Sequence, residues 1–547
     1  MLASLLSATL VGLDGRVIRV EVDVAPGLPG FTIVGLADAS VREARERVRG
    51  AIRNAGFVHP PRRITVNLAP ADLPKSGPAA DLAIAVGILI GSEQLTPRAG
   101  RVALVGELSL GGEVRRVPGL LPMVAALARR GVGRVIVPAE AVAEARLVDG
   151  PEIVAAASLG EVVGQLRSRR RAEPASRERV DLAVRPGSVR SDAGVGGVRG
   201  GPADPGGAAG QVQNGADEGR PAAVDDEVPD LAEVRGQAEA RRALEVALAG
   251  GHGLLLVGPP GGGKTLLART IPGLLPPLDD DAALEATIIA SAAGEGPIEG
   301  FVRRAPFRSP HHTTSYAAMV GGGPHLTPGE VTRADGGVLF LDELAEFARD
   351  VLETLRQPLE DGVVSIVRAG RSATLPARFQ LVAAMNPCPC GFAGVGDDRC
   401  RCGEPMIERY QRRISGPLRD RIDLWVGVPP VRGGVLVGGP EPEASAAVAA
   451  RIALARSRQR SRPGRALNAR LAGRALRRVA GLGPAATARL IALSDAERLS
   501  GRGTERLLRV ARTIADLEAS DSVAVGHLEE AARWRLPVTR GIAALAS

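Results

Sequence analysis

Runs of apolar and polar positions divide this chain into an ordered first third, a stretch without pattern and a long second ordered part. In the first third, short strand-like runs alternate with amphipathic helical runs. The strand-like runs cover residues 16–24, 63–67, 101–104 and 134–137, and the helical ones include 41–54 and 121–130. This alternation predicts a compact α/β domain over residues 1–166.

The periodicity is lost between residues 167 and 228, where Gly, Ala, Asp and Pro predominate. Such a segment cannot bury a core, so we expect a flexible linker there. Alternating strands and helices resume near Asp230 and predict a second α/β domain over residues 229–435. From 436 to 547 the pattern is helical throughout, which predicts a C-terminal helical lid.

The composition and the lengths of the apolar runs indicate where in the cell the protein is located. The 547 residues are 45% hydrophobic and 24% charged, an ordinary globular composition. No apolar run approaches the roughly 20 residues that a membrane-spanning helix needs. The start, residues 1–13, is apolar like part of a signal peptide, but it lacks a basic beginning and continues into the strand at 16–24. We therefore expect a cytoplasmic protein without a membrane span.

Positive charge is concentrated near the carboxyl end of the chain, which has a net charge of +8. Residues 451–478 contain ten arginines and no acidic residue. Such a stretch favours a polyanion as partner, through phosphate contacts and counterion release. The alternative is a solvated helix face, because 67 of the 69 basic residues in this chain are arginine.

A glycine-rich loop carries the strongest chemical signal. The segment Gly258-Pro-Pro-Gly-Gly-Gly-Lys-Thr265 fits the phosphate-loop pattern and lies between a buried strand-like run and a helical run. In that context backbone amides surround phosphate oxygens, and a lysine ammonium reaches the β- and γ-phosphates. Lys264 is one of only two lysines, and a guanidinium cannot replace this compact charge. We predict that ATP is bound by Gly258, Pro259, Pro260, Gly261, Gly262, Gly263, Lys264 and Thr265.

Two carboxylates follow a second apolar strand. The run Gly337-Val-Leu-Phe-Leu leads directly into Asp342 and Glu343. We predict that Asp342 and the Thr265 hydroxyl together hold Mg²⁺, which prefers oxygen ligands. Glu343 is predicted to be the general base for the attacking water.

All four cysteines lie close together, as the pairs Cys388-Pro-Cys390 and Cys400-Arg-Cys402. Two C-x-C pairs can surround a tetrahedral Zn²⁺, and four thiolates leave no open position, so the site would be structural. The alternative is reduced free thiols, since disulfides are disfavoured in the cytoplasm. The first pair begins two residues after Asn386.

Five segments of the chain resemble the YifB/ComM family of AAA+ ATPases. They are Gly30-Phe-Thr-Ile-Val-Gly-Leu-Ala-Asp, Pro61-Arg-Arg-Ile-Thr-Val-Asn-Leu-Ala-Pro, Pro310-His-His-Thr-Thr-Ser, Gly337-Val-Leu-Phe-Leu-Asp-Glu-Leu and Asn386-Pro-Cys-Pro-Cys-Gly. Residues 230–435 resemble the Mg-chelatase-type branch of these ATPases, and the wider resemblance covers the whole chain except the linker. It implies a homo-oligomeric ring, a hexamer, with ATP sites at the subunit interfaces.

The same resemblance implies roles for residues outside the phosphate loop. Asn386 is similar to the residue that senses the γ-phosphate in AAA+ ATPases. Arg421 matches an arginine finger that reaches the neighbouring subunit's γ-phosphate, and Arg502 matches the lid arginine called sensor 2. Where the family usually has two apolar residues this chain has Leu418-Arg419, so Arg419 competes with Arg421 for the finger role.

Two segments of the first domain resemble the Lon protease domain, an α/β fold of the S5-domain-2 type. They are Pro74-Lys-Ser-Gly-Pro-Ala-Ala80 and the stretch from Gly106 to Leu121. That family's nucleophilic serine falls at Ala79 here, and its lysine base falls at Leu121. Because peptide attack needs the hydroxyl and the amine, we predict a Lon-like fold without peptidase activity, used for binding or assembly. Lys75 is interpreted as a surface charge, with an anion contact as the alternative.

Three functions fit these predictions. The leading hypothesis is a ring-shaped DNA motor, a helicase or branch-migration ATPase in homologous recombination or natural transformation, acting on single-stranded or branched DNA. The alternatives are a chelatase-type motor that inserts a metal into a cofactor, and a protein-remodelling ATPase or protease. His311 and His312 are interpreted either as part of a pore loop touching DNA or as a packed turn. The expected cofactors are ATP, Mg²⁺ and structural Zn²⁺.

Overall fold

The computed structural model describes residues 1–35, 39–73, 75, 77–96, 102–167, 228–323, 326–368, 371–394 and 399–535. The predicted linker at 167–228 lies outside these residues except at its two ends, and so do residues 536–547 of the predicted lid. None of the helices in the described part of the chain combines the length and the apolar character that crossing a bilayer requires.

A mixed sheet of seven strands forms the N-terminal region. The strands of this region are β1 (Leu2–Val11), β2 (Asp14–Ala25), β3 (Gly30–Val34), β4 (Arg63–Ala69), β5 (Val102–Leu104), β6 (Glu107–Leu108), β7 (Val114–Arg115), β8 (Arg134–Pro138) and β9 (Glu152–Ala156). The sheet order is β3-β4-β2-β1-β5-β8-β9, while β6 and β7 pair separately. Strand β2 runs antiparallel to β1 and β4, and the other neighbours are parallel. The helices are α1 (Ala39–Asn54), α2 (Asp81–Gly91), α3 (Leu120–Arg129), α4 (Val142–Ala145) and α5 (Leu159–Arg167).

Each face of this sheet buries a separate apolar cluster. On β2, the alternate residues Ile18, Val20 and Val22 are buried beneath α1, α2 and α5, as the period of a strand requires. The opposite face packs against α3 and α4. The apolar start of the chain, which resembles a signal peptide in composition, is the first strand of this sheet.

A five-stranded parallel sheet forms the second region. Its strands and those of two adjoining hairpins are β10 (Leu254–Val257), β11 (Phe307–Arg308), β12 (Gly321–Gly322), β13 (Thr327–Pro328), β14 (Val338–Leu341), β15 (Val363–Arg368), β16 (Arg371–Pro376), β17 (Gln380–Met385) and β18 (Leu424–Gly427). The helices are α6 (Ala238–Gly250), α7 (Lys264–Arg269), α8 (Ile271–Leu274), α9 (Asp280–Ala292), α10 (Tyr316–Val320), α11 (Glu330–Arg333), α12 (Arg349–Thr354), α13 (Arg356–Asp361), α14 (Glu404–Gln411) and α15 (Gly416–Arg419). The sheet order is β11-β14-β17-β10-β18.

The central strands of this sheet are covered on both faces. Every residue of β10, β14 and β17 is buried, which explains their continuous apolar sequences. The carboxyl ends of all three strands meet at one edge, where an open parallel sheet binds its ligands.

The third region is entirely helical within the described residues. It contains α16 (Gly433–Gly438), α17 (Ser445–Arg460), α18 (Gly473–Ala480), α19 (Pro484–Ala496), α20 (Gly501–Leu517) and α21 (Val525–Arg533). Helices α17 and α20 pack against α6, and the apolar side chains of this region share one cluster with α6 and β10. The mixed α/β fold with a helical C-terminal region agrees with the expected class.

The hairpin β15–β16 was not predicted, and it forms one of two contacts between the N-terminal region and the second region. Leu13, in the turn between β1 and β2, packs against an apolar cluster that includes Leu375 of the hairpin. Helix α3 packs against α9 in the other contact.

Candidate nucleotide site

The phosphate loop joins the buried strand β10 to α7 in a backbone conformation that requires glycine. Gly261 and Gly263 have φ values of 75° and 90°, in the left-handed region. A Cβ on Gly258 would lie 2.1 Å from the carbonyl oxygen of Val428, so this position cannot carry a side chain. The loop therefore exposes its amides at the amino end of a helix, which is an arrangement that binds anions.

Lys264 is held beneath this loop by neutral oxygen acceptors. Its Nζ donates to the carbonyl oxygens of Gly258 and Pro259, each at 2.8 Å, and to Oδ1 of Asn386 at 3.2 Å. Burial lowers the pKa of Lys264 to about 8, although the charges of Asp342 and Glu343 oppose this shift. A buried ammonium without a direct carboxylate partner fits a site in which phosphate oxygens supply the negative charge.

Thr265 and Asp342 meet as expected for a Mg²⁺ site. The Thr265 hydroxyl donates to Oδ2 of Asp342 at 2.7 Å, bringing the start of α7 to the end of β14. Hydroxyl and carboxylate oxygens are ligands that Mg²⁺ accepts beside nucleotide phosphates. The two side chains fit this metal. They are already within hydrogen-bonding distance of each other, so both could bind one Mg²⁺ ion without a rearrangement of α7 or β14.

Glu343 follows Asp342 with a left-handed backbone, at φ 52°. Its Oε2 lies 3.1 Å from Nδ1 of His312, and the His311 and His312 rings contact each other with centroids 4.1 Å apart and planes tilted by 34°. Thr265, Asp342, Glu343 and both histidines line one cavity of about 440 Å³. The structure places the histidines beside the carboxylates of the candidate nucleotide site, and the pore-loop interpretation of this pair stays a prediction.

Arg421 and Arg419 point in different directions. Arg419 donates to the carbonyl oxygens of Ile414, at 3.1 Å, and of Gln411, so its guanidinium is used within its own segment. Arg421 donates to the carbonyl oxygen of Pro417 at 3.0 Å and pairs with the exposed carboxylate of Glu360. An ion pair with an exposed carboxylate contributes little and can be exchanged for another anion.

Arg421 lies at the opposite edge of the sheet from the phosphate loop. It precedes β18, and the amide of Asp423 donates to the carbonyl oxygen of Gly253, just before β10 begins. Strand β10 then has four residues before the loop, which separates the two edges by roughly 13 Å. Arg421 is therefore not next to Lys264, and it does not line the cavity that contains Glu343.

Arg502 is exposed near the start of α20, whose N-cap is Ser500. The same helix carries Arg506, which lies 3.9 Å from Asp423, two residues beyond Arg421. The buried His252 contacts Asp423 at 3.3 Å and Thr513 of α20 at 2.7 Å. These bonds attach the helix of Arg502 to the segment of Arg421.

The four cysteines converge at one point next to the phosphate loop. Their Sγ atoms all lie within 4.8 Å of one another, with separations of 3.3, 3.7 and 3.9 Å among Cys388, Cys390 and Cys400. A tetrahedral Zn²⁺ with Zn–S bonds of about 2.3 Å needs sulfurs about 3.8 Å apart, so the cluster fits this ion. Gly391, within the cysteine loop, packs so closely on Pro260 that a Cβ there would lie 2.5 Å from Pro260 Cδ.

The positions where Lon carries its catalytic pair are apolar here and closed. Ala79 and Leu121 are buried in one cluster, against which Ile288 of α9 packs. The Leu121 amide donates to Oε1 of Glu144 at 3.1 Å and to the hydroxyl of Ser291, also on α9, at 3.2 Å. This region, which we call the N-terminal cleft (Ala79, Leu121 and Glu144), is a docking surface for the second region.

A second set of polar contacts extends this docking surface. Glu144, 1% exposed, also accepts from the Ser291 hydroxyl at 2.6 Å and pairs with Arg116 at 3.0 Å. Arg116 donates in turn to the carbonyl oxygen of Glu295 at 2.6 Å. The Glu295 carboxylate pairs with Arg308 of β11, four residues before His312. Polar contacts therefore lead from the N-terminal cleft as far as Arg308, in the strand that precedes the His311-His312 pair.

Lys75 is not the surface charge that we expected. Its side chain is 1% exposed and Nζ donates to the carbonyl oxygen of Pro70. Burial lowers its pKa from the ordinary lysine value. The neighbouring residues Pro74 and Ser76 lie outside the described part of the chain.

The basic segment 451–478 is partly neutralised by acids from other elements. Arg451 pairs with Glu245 and Glu443, Arg458 with Asp521, and Arg462 with Asp516. The guanidinium of Arg456 is buried and donates to the carbonyl oxygen of Leu248. The excess of charge in the sequence is thus much larger than the excess at the surface.

Comparisons with known proteins agree with this geometry. The family described as "Magnesium chelatase, subunit ChlI" matches residues 230–436, "Subunit ChlI of Mg-chelatase" matches 20–141, and "Magnesium chelatase, subunit ChlI C-terminal" matches 442–535. The chain is 41% identical to the protein YifB of Escherichia coli over 528 residues, which are 96% of this chain and 95% of that protein. It is 39% identical to the competence protein ComM of Haemophilus influenzae over 541 residues, 98% of each chain.

This chain belongs to the YifB/ComM family of magnesium-chelatase-like AAA+ ATPases. It is also 33% identical to Lon protease 2 of Bacillus subtilis over 170 residues, 28% of this chain and 30% of that protein. This partial similarity to Lon agrees with the expected fold class.

Two groups of functional residues in this family member were missed by sequence reasoning. His312 stood in a noted motif, Pro310-His-His, but its distance along the chain from Glu343 gave no indication of contact. Ser291 and Glu144 lie in unremarkable sequences, and 147 residues separate them. Only the packing of α9 on the N-terminal region brings them together.

Proposed function

We propose that this protein is a ring-forming, homo-oligomeric ATPase that uses ATP hydrolysis to move DNA during homologous recombination or natural transformation.

 The observation that carries hydrolysis is the hydrogen bond of 2.7 Å between Thr265 and Asp342, with Glu343 beside the same cavity. A pair of Mg²⁺ ligands and a general base at the end of one strand are the parts that in-line attack of water on a γ-phosphate needs.

Each residue of the site has a distinct part in the proposed reaction. The loop amides and Lys264 bind the phosphates, and Thr265 and Asp342 would hold Mg²⁺, which neutralises developing negative charge. Glu343 accepts the proton of the attacking water, and His312, 3.1 Å away, orients its carboxylate. The bond from Lys264 to Asn386 supports a role for Asn386 as the residue that detects the γ-phosphate.

The position of Arg421 supports a shared site in a hexameric ring. Its separation of roughly 13 Å from its own phosphate loop, along β10, is too great for direct contact with phosphate on the same chain. A finger on this edge is available to a neighbouring subunit, and its exposed partner Glu360 can be exchanged for phosphate. Arg502, exposed on α20, is proposed as the lid arginine.

DNA is the proposed substrate because the relative ComM is named for competence and because part of the arginine surface remains exposed. Residues 474, 477 and 478 of the basic segment are exposed, and no ion pair is recorded for them within the described chain. The second candidate is a motor that inserts a metal into a cofactor. It is favoured by the matches to magnesium chelatase families in all three regions.

The test is the steady-state ATPase rate of the full chain with no DNA, with single-stranded DNA and with a four-way junction. We expect stimulation by DNA, most strongly by the form on which the motor acts. Lys264→Ala is the control for contaminating ATPase, since it should remove the activity with and without DNA. A basal rate that no DNA changes, with no salt-sensitive DNA binding, would eliminate the DNA motor in favour of the metal-insertion candidate.

We also propose that the four cysteines hold a structural Zn²⁺ that stiffens the segment between Asn386 and Arg421. The packing of Gly391 on Pro260 supports a link to the phosphate loop. Elemental analysis of protein purified without chelator should give about one zinc per chain. The Cys400→Ser/Cys402→Ser variant should lose the metal, whereas zinc near zero in the unaltered protein would favour free thiols.

A further inference from the structure

A groove on the N-terminal region differs from the rest of the arginine-rich surface. It lies between the exposed part of β1 and β2 and the carboxyl end of α3, and its volume is about 1150 Å³. Two arginines of β2, Arg16 and Arg19, and two at the end of α3, Arg129 and Arg130, line it. None of the residues lining it is acidic. We call these four side chains and the space between them the arginine groove.

The arginine side chains of the groove are exposed, and most of them have no acidic partner. All four arginines are exposed, and only Arg16 has an acidic partner, the exposed Asp14 at 3.2 Å. Arg19, Arg129 and Arg130 form no ion pair with any residue of the described chain. This contrasts with the segment 451–478, where three arginines are paired with carboxylates from other elements.

The floor of the groove is neutral and small. It contains Ser4, Leu6, Ala69 and Pro70, which present no charge and little bulk to an incoming chain. The nearest acid on the same face of the sheet, Glu21, is opposite Ser4 in the β1–β2 register and accepts from the amide of Asn67 at 2.8 Å. A polyanion that approaches Arg19, Arg129 and Arg130 therefore meets no carboxylate among the lining residues, and the adjacent Glu21 is already bonded to the Asn67 side chain.

The second region does not cover the groove. Helix α3 is docked at its first turn, where the Gly119 amide donates to the carbonyl oxygen of Ser291 at 2.7 Å. Arg129 and Arg130 are at its other end, and ten helical residues span about 15 Å. The same helix therefore connects the docking surface on α9 to the groove.

We propose that the arginine groove binds the phosphate backbone of DNA and presents it to the ATPase region. The ligand class follows from charge complementarity, because the unpaired guanidinium groups of Arg19, Arg129 and Arg130 on the α3 side of the sheet match a repeating phosphate. The lining has no aromatic side chain on which bases could stack, so binding should be independent of base sequence. This inference rests on the proposed DNA motor and adds a second contact surface to it.

The test compares two charge reversals on the same domain. Arg129→Glu/Arg130→Glu changes the groove, and Arg49→Glu/Arg53→Glu makes the same change in net charge on exposed positions of α1, which packs on the opposite face of the sheet. Fluorescence anisotropy of a labelled 30-nucleotide strand is measured with nucleotide-free full-length protein over a range of salt concentrations. Melting temperature and basal ATPase rate check that both variants are folded.

We expect the groove variant to weaken binding about tenfold or more at low salt, equally for different base sequences. The slope of log K against log salt should fall by about 2, one for each phosphate contact removed, while the control variant stays close to the unaltered protein. A control variant that loses as much affinity as the groove variant would overturn the groove as a specific site and leave only bulk charge.

The remaining outcomes separate this inference from the proposed function. If the unaltered protein binds DNA and the groove variant binds equally well, the groove proposal fails and the DNA motor stands. If the unaltered protein does not bind DNA at low salt, both fail. If it binds polyglutamate but not DNA, and the groove variant loses that binding, the partner is an acidic protein and the DNA proposal is overturned.

Discussion

The nucleotide site and the N-terminal cleft differ in how their buried polar groups are satisfied. Both contain buried polar groups next to a position associated with catalysis in related folds. In the nucleotide cavity, Lys264 is satisfied by carbonyl oxygens and an amide, which phosphate oxygens can replace. In the N-terminal cleft, Glu144 is satisfied by Arg116, Ser291 and the Leu121 main-chain amide, and the last two of these bonds are buried within the molecule.

The two sites differ in which part of the molecule supplies the hydrogen-bond partners of the buried polar group. The ammonium of Lys264 is held by neutral oxygen acceptors, and the adjacent cavity lined by Thr265, Asp342 and Glu343 leaves room for a ligand. Those of the N-terminal cleft are completed by α9, from another region of the same chain, so the space for a substrate is filled by the protein. A buried carboxylate with several hydrogen bonds is costly to disturb, and this makes the cleft a structural joint.

The largest expected effect tests whether the nucleotide cavity is complete within one chain. Arg421→Ala should bind ATP nearly normally and lose about 10³–10⁵ in turnover, as for other fingers supplied in trans. Mixing it with Lys264→Ala protein should restore part of the ATPase rate, because an intact cavity can meet an intact finger. Arg419→Ala is the matched control and should retain ATP turnover. If Arg419→Ala lost turnover and Arg421→Ala did not, the finger role would belong to Arg419.

The next effect tests the base. Glu343→Gln should retain ATP binding and lose about 10²–10⁴ in turnover, because the amide cannot accept a proton from water. His312→Ala should lower turnover less, since it removes only the orienting contact. ATP binding measured by calorimetry and steady-state hydrolysis measured in parallel check both variants. Hydrolysis near the unaltered rate in Glu343→Gln would contradict the assignment.

A smaller effect concerns pH. In the nucleotide-free protein the Lys264 ammonium is lost as pH rises through about 8, whereas bound phosphate favours the charged form. Binding above this pH must take up a proton, so ATP affinity should fall by up to about tenfold per pH unit above pH 8 and be insensitive to this group below it. Calorimetry in two buffers of different ionisation enthalpy measures the proton uptake. Affinity unchanged between about pH 7 and pH 9 would contradict the shift.

The smallest effect tests the structural role of the N-terminal cleft. Ser291→Ala removes the hydroxyl that joins Glu144 to the Leu121 amide and should cost about 1–3 kcal/mol. The first thermal transition should fall by several degrees, about 2–4 °C for each kcal/mol, with ATP turnover retained. Ser461→Ala, whose hydroxyl bond is exposed, is the control and should change little. A loss of turnover without loss of stability would instead indicate catalytic coupling along the path through Glu295 and Arg308.

The parts of the fold that could be predicted depend on local patterns. The alternating pattern of β2 reflects one face buried more fully than the other, and the apolar runs of β10, β14 and β17 reflect strands buried on both faces. Such patterns can be recognised in the sequence without knowing which elements pack against each strand. The fold class was predicted from these patterns and the family from short motifs, and the comparisons confirmed both. The apolar start of the chain was harder, because composition alone does not distinguish part of a signal peptide from the strand β1.

The residues of the phosphate loop and the Asp342-Glu343 pair could also be proposed from sequence, because each is a short motif fixed to the end of one strand. Their convergence follows from the parallel sheet, since the carboxyl ends of β10 and β14 meet at one edge. Residue type and spacing along the chain were sufficient for that step. The chemical roles of these residues remain proposals that the experiments above address.

Contacts between distant segments were decided by tertiary structure alone. The sequence by itself determined that Lys264 belongs to a phosphate loop and that Ala79 and Leu121 cannot form a catalytic pair. It did not determine that His312 faces Glu343, that Lys75 is buried, or that carboxylates from elsewhere neutralise part of the basic segment. The physical reason is that charge and burial depend on which elements pack together, and a sequence count adds charges without their partners.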